Sequence, residues 1–580
     1  MACPSARNSG ADALINWLAA EGADLAPITV GASAYGGLGV CAATALPAGA
    51  VAFRCPCSVV LTAAAALDDP LIGPPLRHLA ASDISPGLDD PYRLMLLLLA
   101  HRAQGASSRW APYIAALPGD ELPASLPLHW PATEASELLA GTPLLAQASK
   151  AAADLAAFHR EVVMGRLCAT WPDVFPPHAY DWPSIAWAYA VFWSRAIMLP
   201  LPGGSRACLV PLLDLCNHSA STAARVNCER MAPREAAIES ENDKHAACQD
   251  VSNSEELEVN SDSVGGASGH GDGEHCFVLR LARPAAAGDE LHINYGAKGN
   301  AELLRCHGFA LPDNPADVYE LDLGDLEHSH ELLLPRVENL ENEKAPHLET
   351  PADEAFSARL QELRRCSAAR HFLYRGGLPI ELLPAIRLLC ADDGDERRRA
   401  EAALDGNSDA NNEAPATSFD WSLVDWTADD PFAVANAAAT PQYPCGAACE
   451  VRALTTLSGL LNTRLTAMQR ACTKEGPSHV ASSAPSKKRP PNADTATEAA
   501  ASGGDGGALA QQRAAMARTY VEGQVSLLAE ALGLVTEELA RAKKTLEASA
   551  DRGNTMEHAG SEPNSDKHPQ ENKRPRRQCA

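Results

Sequence analysis

The chain has 580 residues, too long for one compact core, and at roughly 150 residues per domain it should divide into two to four units. Its formal net charge of −26 excludes a protein whose main work is to hold a phosphate backbone, because that task needs clustered Lys and Arg. Seventeen cysteines fall singly and form no CxxC pairs, so a tetrahedral zinc site is not expected, and no metal is.

Folding signals begin almost at once. ADALINWLAAEGA places Leu14, Ile15, Trp17 and Leu18 on one helical face, with Gly22 where a helix would stop. Residues 1–22 lack the charged start and apolar centre of a signal peptide, and no run of about eighteen apolar residues suggests a membrane span. With free thiols, this points to a reducing compartment, cytoplasmic or nuclear. A glycine-punctuated β-rich block follows, in which VCAATAL, AVAFRC and SVVLT read as strands broken by GG and PAG turns.

From Ala63 the pattern turns helical, through RLMLLLLAHRA, SKAAADLAAFHREVVMGRL and WPSIAWAYAVFWSRAIM, each with apolar residues three and four apart. Strands return at Cys208 to Leu215, Ala224 to Met231, Cys276 to Leu281 and Glu290 to Asn294. The β part is therefore split in sequence by a helical insertion, 63–205. A second, acidic insertion, 229–274, is Ser-, Asn- and Gly-rich and reads as disordered.

Beyond residue 313 the chain reads helical through FSARLQELRRCSAARHFLY, LPIELLPAIRLLCA, CEVRALTTLSGLLNTRLTAMQRA and MARTYVEGQVSLLAEALGLVTEELARAKK. The last segment carries an apolar stripe from Met516 to Leu539, read as the buried face of a helical lobe. Polar stretches at 400–418 and 473–507 read as linkers, and 549–580 as a disordered basic tail. SKKRPP at Ser486 and NKRPRR at Asn572 are short basic clusters that serve either as import signals or as solvated linkers.

Four elements carry chemistry. SAYGGLGV lets the backbone approach another group closely, although a plain turn is the simpler reading of Gly36, Gly37 and Gly39. No helix follows it to hold a pyrophosphate. WAYAVFWSRAIM ends in Ser194 and Arg195 among apolar residues, and a buried guanidinium needs an anion, a structural acid or a ligand carboxylate. LVPLLDLCNHSA runs from a strand pattern into Asp214, Cys216, Asn217 and His218, and in GDELHINYGAKGNAELLRCHGFAL Tyr295 ends a strand before a glycine turn.

Together and in this order, these elements resemble the SET-domain methyltransferases of the class typified by the Rubisco large-subunit lysine methyltransferase. The resemblance covers about residues 11–545 outside the insertions, and its specific part is the pairing of NHS with YG. It implies an α+β fold: a split β-rich SET domain with a helical insertion over 11–312, followed by an all-α substrate-binding lobe over 313–548.

The implied reaction is protein-lysine N-methylation with S-adenosylmethionine on a protein substrate. From charge and hydropathy, neither nucleic acid nor membrane is an expected partner, and a monomer is expected. Asn217 and His218 would meet the adenosine portion, Gly37, Leu38 and Gly39 would supply backbone contacts from the opposite wall, and Phe309 would pack beside the cofactor. Arg195 would pair with the methionine carboxylate. Tyr295 corresponds to the tyrosine at the transfer channel, and Asp214 to an acid lining it.

Two departures matter. His307 stands where the Rubisco-type enzyme has a tyrosine before the final GF, and the strand ARVNCERM carries Asn227 and no tyrosine. One branch of the class methylates histidine, with an asparagine on that strand at the imidazole, so histidine methylation is the alternative. Two other readings compete: a SET-like interaction module without activity, and a cysteine hydrolase built on Cys216 and His218. The latter lacks any visible orienting group or oxyanion site.

Overall fold

In a computed structural model the described residues are 9–33, 37–80, 88–201, 204–219, 225–230, 275–328, 351–365, 368–405, 445–473 and 505–559. The chain divides into two units. The first comprises residues up to Ala316 together with 505–521, and the second comprises Asp317 onward through 473 together with 522–559.

Among its described residues the first unit holds three small antiparallel sheets. One has the order β1-β2-β9, from Ile28–Ala32, Leu38–Ala42 and Glu290–Leu291; here Gly31 faces Gly39 and Val40 faces Leu291. A second pairs β3, Val51–Pro56, with β8, His275–Arg280, and β8 with β7, Arg225–Arg230. The third pairs β4, Leu61–Thr62, and β5, Ile197–Leu201, with β6, Gly204–Leu209. Strands from both ends of the unit thus meet in the same sheets, and the β part is split in sequence.

The opening helix, Ser9–Ala20, buries Leu14 and Leu18, and the chain leaves it through Gly22 at φ +94°, a left-handed conformation that suits glycine. Helices recur through 63–80 and 88–195. Among them Asp90–Gln104 buries every residue from Leu94 to His101. At about 1.5–3 kcal/mol per buried aliphatic side chain, this helix is an axle of the core rather than a surface helix. The helical part ends at Arg195, ten residues before the expected 205, because Ile197–Leu201 is already strand.

Within the first unit, further elements differ from their sequence patterns. The strand expected over Cys208 to Leu215 stops at Leu209, since Pro211 has no N–H for the ladder; Leu212 then turns at φ +74° into a single 3-10 turn, Leu213–Leu215. A buried leucine at positive φ is costly, and only a tightly packed surrounding holds it there. Over Glu290 to Asn294 only Glu290–Leu291 is strand, and Ile293 instead bridges His218 in parallel. Ile28–Ala32, which no sequence signal marked, forms the outer strand of the first sheet.

The second unit is helical, with Pro351–Arg365, Leu382–Cys390, Gly394–Asp405 and Ala447–Thr473, but it also contains an antiparallel pair. Val318–Asp322 (β10) pairs with Arg370–Tyr374 (β11), so HFLY, expected as the end of a helix, is strand. Buried Tyr319, Leu321 and Leu373 suit a pleated surface better than a helical one.

The final helix, Asp505–Ala559, takes in the last residues of the linker expected at 473–507 and the first of the tail expected at 549–580. On its predicted stripe Tyr520, Leu527, Leu528 and Val535 are buried. Glu229 and Arg230 are strand and 400–405 are helix, within stretches expected to be disordered. The rest of the acidic insertion, the linkers and both basic clusters lie outside the described residues.

Candidate active site

Asn217, His218 and Tyr295 form one hydrogen-bonded unit, because residues 217–219 run alongside 293–295. The Ile293 N–H donates to the Asn217 carbonyl at 3.0 Å, and the Ser219 N–H donates to the Ile293 carbonyl at 3.1 Å. The Tyr295 N–H donates to His218 Nδ1 at 3.1 Å, and the Tyr295 hydroxyl donates to the Cys216 carbonyl at 3.1 Å. Because His218 Nδ1 accepts, the neutral ring carries its proton on Nε2. Burial lowers the His218 pKa, which keeps the ring neutral. Burial likewise pushes the Tyr295 hydroxyl up to about 12, so it stays protonated near neutral pH.

Asn217 Nδ2 donates to Glu290 Oε1 at 2.6 Å and to Ser33 Oγ at 3.0 Å, and the Ser33 hydroxyl bonds the same carboxylate at 2.9 Å. Both amide protons are thus spent within the chain, which leaves the side-chain Oδ1 for a ligand. The same carboxylate explains Gly39: a Cβ there would lie 2.5 Å from Glu290 Oε1. Gly37, exposed at φ +69°, has open space where its Cβ would be, and its carbonyl accepts from the Ser33 N–H at 3.0 Å. Leu38 is half-buried beside it, and Gly36 lies outside the described residues.

Arg195 closes the last turn of the helix Trp182–Arg195 and donates from Nη1 to the Asp214 carbonyl at 2.8 Å. Its buried Nε has no partner among the described residues. Such an orphaned donor on a half-buried guanidinium fits an anionic ligand, a carboxylate above all.

Asp214 is 5% exposed and receives the Tyr113 hydroxyl on Oδ2 at 2.6 Å, while Oδ1 is buried without a partner among the described residues. Burial raises its pKa to about 6, against the opposing pull of Arg195.

Four rings form a rim. His218 and His307 lie 5.1 Å and 4.8 Å from the Tyr295 ring centroid, and Phe309 lies 6.1 Å from His218 and 6.0 Å from His307. Asn227 is on β7, where its backbone faces Val278 of β8. The ten other candidate residues (Gly37, Leu38, Gly39, Arg195, Asp214, Asn217, His218, Tyr295, His307 and Phe309) come from four separate chain segments, and bonds or ring contacts tie most of them together.

Sequence reasoning missed Ser33, Tyr113 and Glu290. Glu290 sits in the quoted GDE, but nothing in sequence tells a strand-start acid from a ligand-site brace. Tyr113 is far from Asp214 along the chain and carries no pairing signal. Cys216 is fully buried, and its thiol is pushed up strongly by burial, so it is not the thiolate a cysteine hydrolase needs. Among the described residues no group of three or more His, Cys, Asp or Glu could hold a metal ion, and no helix is long and apolar enough to cross a membrane.

No protein-family model matches the chain. It is similar to the actin-histidine N-methyltransferase of Danio rerio, 25% identical over 236 residues, which are 40% of this chain and 31% of that protein. It is also 52% identical over 46 residues to the ribosomal lysine N-methyltransferase set10 of Schizosaccharomyces pombe, 7% of this chain and 8% of that protein. The chain spans less than a third of the length of either relative.

Solved structures match far more of it. The SET domain of LSMT bound to lysine and AdoHcy superposes with a TM-score of 0.56 at 17% identity, covering 93% of this chain and 94% of that one. Rubisco LSMT bound to AdoMet gives 0.53 at 16% identity, covering 92% and 93%. The chain therefore carries the SET-domain fold of the Rubisco LSMT structures.

Proposed function

We propose that this chain is an S-adenosylmethionine-dependent protein methyltransferase whose acceptor is a lysine side chain. The observation that carries the proposal is the bonded unit of Asn217, His218 and Tyr295 beside the orphaned Arg195 Nε. Structures of the same fold hold AdoMet, AdoHcy and lysine, which supports both the cofactor and the acceptor class.

Bound S-adenosylmethionine supplies an electrophilic methyl group on a positively charged sulfur. Arg195 would take the methionine carboxylate through Nε, and the 37–39 backbone with Asn217 and His218 would hold the rest, with Phe309 packed alongside. Tyr295 spends its proton on the Cys216 carbonyl, so its oxygen offers lone pairs to the incoming nitrogen. A hydroxyl held up to about 12 is no proton acceptor at neutral pH; its contribution is orientation.

A lysine nucleophile must be neutral, although its ordinary pKa is ~10.4. Desolvation among the four rings favours the uncharged amine, as does any nearby positive charge. Fixed dipoles around a charge-diffuse transition state supply the remainder. Asp214 would line the acceptor channel, and the second unit would bind the substrate protein.

Histidine is the second acceptor reading. It is supported by the similarity to the Danio rerio actin-histidine N-methyltransferase and by Asn227 on β7. An imidazole is largely neutral at pH 7 and needs less help from desolvation.

Thermal unfolding with and without S-adenosylmethionine tests the cofactor directly, because a ligand that binds only the folded state raises the midpoint. No shift at saturating cofactor contradicts enzymatic function and favours a non-catalytic interaction module. Tyr295→Phe should keep the shift and lose most methyl transfer.

A further inference from the structure

The two histidines that flank Tyr295 hold opposite tautomers. His218 Nδ1 accepts the Tyr295 N–H, so its proton is on Nε2. His307 Nδ1 lies 3.1 Å from the Ser194 carbonyl; a carbonyl only accepts, so Nδ1 carries the proton and Nε2 is bare. None of the described residues bonds His307 Nε2. Its ring stands 4.8 Å from Tyr295 at 33°, and 6.0 Å from Phe309. The rings packed against Tyr295, 5.1 and 4.8 Å from its centroid, therefore carry a ring N–H on His218 and a ring lone pair on His307.

We infer that His307 is an acceptor-binding residue whose bare Nε2 receives a hydrogen bond from an N–H of the incoming neutral amine, with the Tyr295 oxygen as the second receptor. This rests on the methyltransferase reading above. A neutral primary amine has two N–H bonds and one lone pair; two receptors on the protein would hold the former and leave the lone pair directed at the electrophile.

Other groups around His307 keep it in the required state. Burial holds its pKa down to about 3, and Lys298, His218 and Arg195 add positive charge or compete for it, while the Ser194 carbonyl pulls the other way. The nearby Lys298 is itself paired with Glu302. The ring is thus a fixed hydrogen-bond receptor rather than a proton store.

His307→Asn separates this role from a structural one. An asparagine amide can still donate to the Ser194 carbonyl from the Nδ1 position, but it places nothing at Nε2. His307→Gln instead reaches the Nε2 position. Using the full chain, labelled S-adenosylmethionine and arrayed peptides that each carry a single lysine or a single histidine, His307→Asn should lower kcat/KM for lysine peptides about tenfold, with cofactor affinity unchanged. His307→Gln should recover part of the loss. Wild-type kcat/KM in His307→Asn would overturn the inference.

A second measurement does not depend on a substrate. Nitrogen-15 NMR of histidine-labelled protein, with His307 assigned by difference from His307→Asn, should show a protonated Nδ1 and a bare Nε2 between pH 6 and 8. A protonated Nε2 overturns the inference whatever the peptides do. If the wild type methylates no peptide and binds no cofactor, the methyltransferase reading fails and the acceptor role falls with it; if it binds cofactor and methylates peptides but Nε2 is protonated, the inference about His307 alone fails.

Discussion

Asp214→Asn should change how stability depends on pH. Burial lifts the Asp214 pKa from an ordinary ~3.9 to about 6, so the folded protein holds a proton that the unfolded chain releases. The stabilisation from that proton is complete below the unfolded value and is lost as the pH rises through about 6. A rise of about two pH units corresponds to about 3 kcal/mol in full, of which roughly 1.4 kcal/mol disappears between pH 5 and pH 7.5.

An asparagine is neutral at every pH, keeps an oxygen for the Tyr113 hydroxyl at 2.6 Å, and has no such loss. The unfolding midpoint of Asp214→Asn, relative to wild type, should therefore climb by a few degrees from pH 5 to pH 7.5, whatever its absolute offset. Thermal unfolding of both proteins across that range measures it. Parallel profiles would refute the reasoning and mean that Asp214 is an ordinary ionised carboxylate.

Other substitutions probe the surrounding network. Gly39→Ala should push the Glu290 carboxylate off Ser33 and Asn217, lower stability by about 1–3 kcal/mol and weaken cofactor binding, as read by calorimetry. Arg195→Lys should keep the fold but bind S-adenosylmethionine roughly tenfold more weakly, since an ammonium lacks the guanidinium fork that bonds the Asp214 carbonyl and an anion together. Arg513→Ala removes a two-pronged bond to Glu134, at 2.7 and 2.6 Å and mostly buried, and should cost about 1–3 kcal/mol in denaturant unfolding.

The legible parts of the sequence were those set by local pattern. Leu14 and Leu18 with Gly22, the leucine run from Leu94 to Leu99, and the stripe through Tyr520 and Leu528 declare their helices through spacing alone. Arg195 at the end of an apolar helix raises the question of its anion, and its buried Nε has no partner among the described residues. What remained hidden depends on long-range closure. LVPLLDL reads as a strand until Pro211 and the left-handed Leu212 break it, and HFLY becomes a strand only because Val318–Asp322 lies beside it. Glu290 and Tyr113 gain their roles from partners distant in the chain, Asn217 and Asp214, which no periodicity connects.

Transfer of a labelled methyl group tests the central claim most directly. Incubating the full chain with methyl-labelled S-adenosylmethionine and a cell extract, followed by mass spectrometry of the labelled proteins, should reveal N-methyl-lysine that is absent when Tyr295→Phe replaces the wild type. Label on histidine would shift the acceptor to the second reading, and no label on any protein, with wild type and variant indistinguishable, would contradict the account.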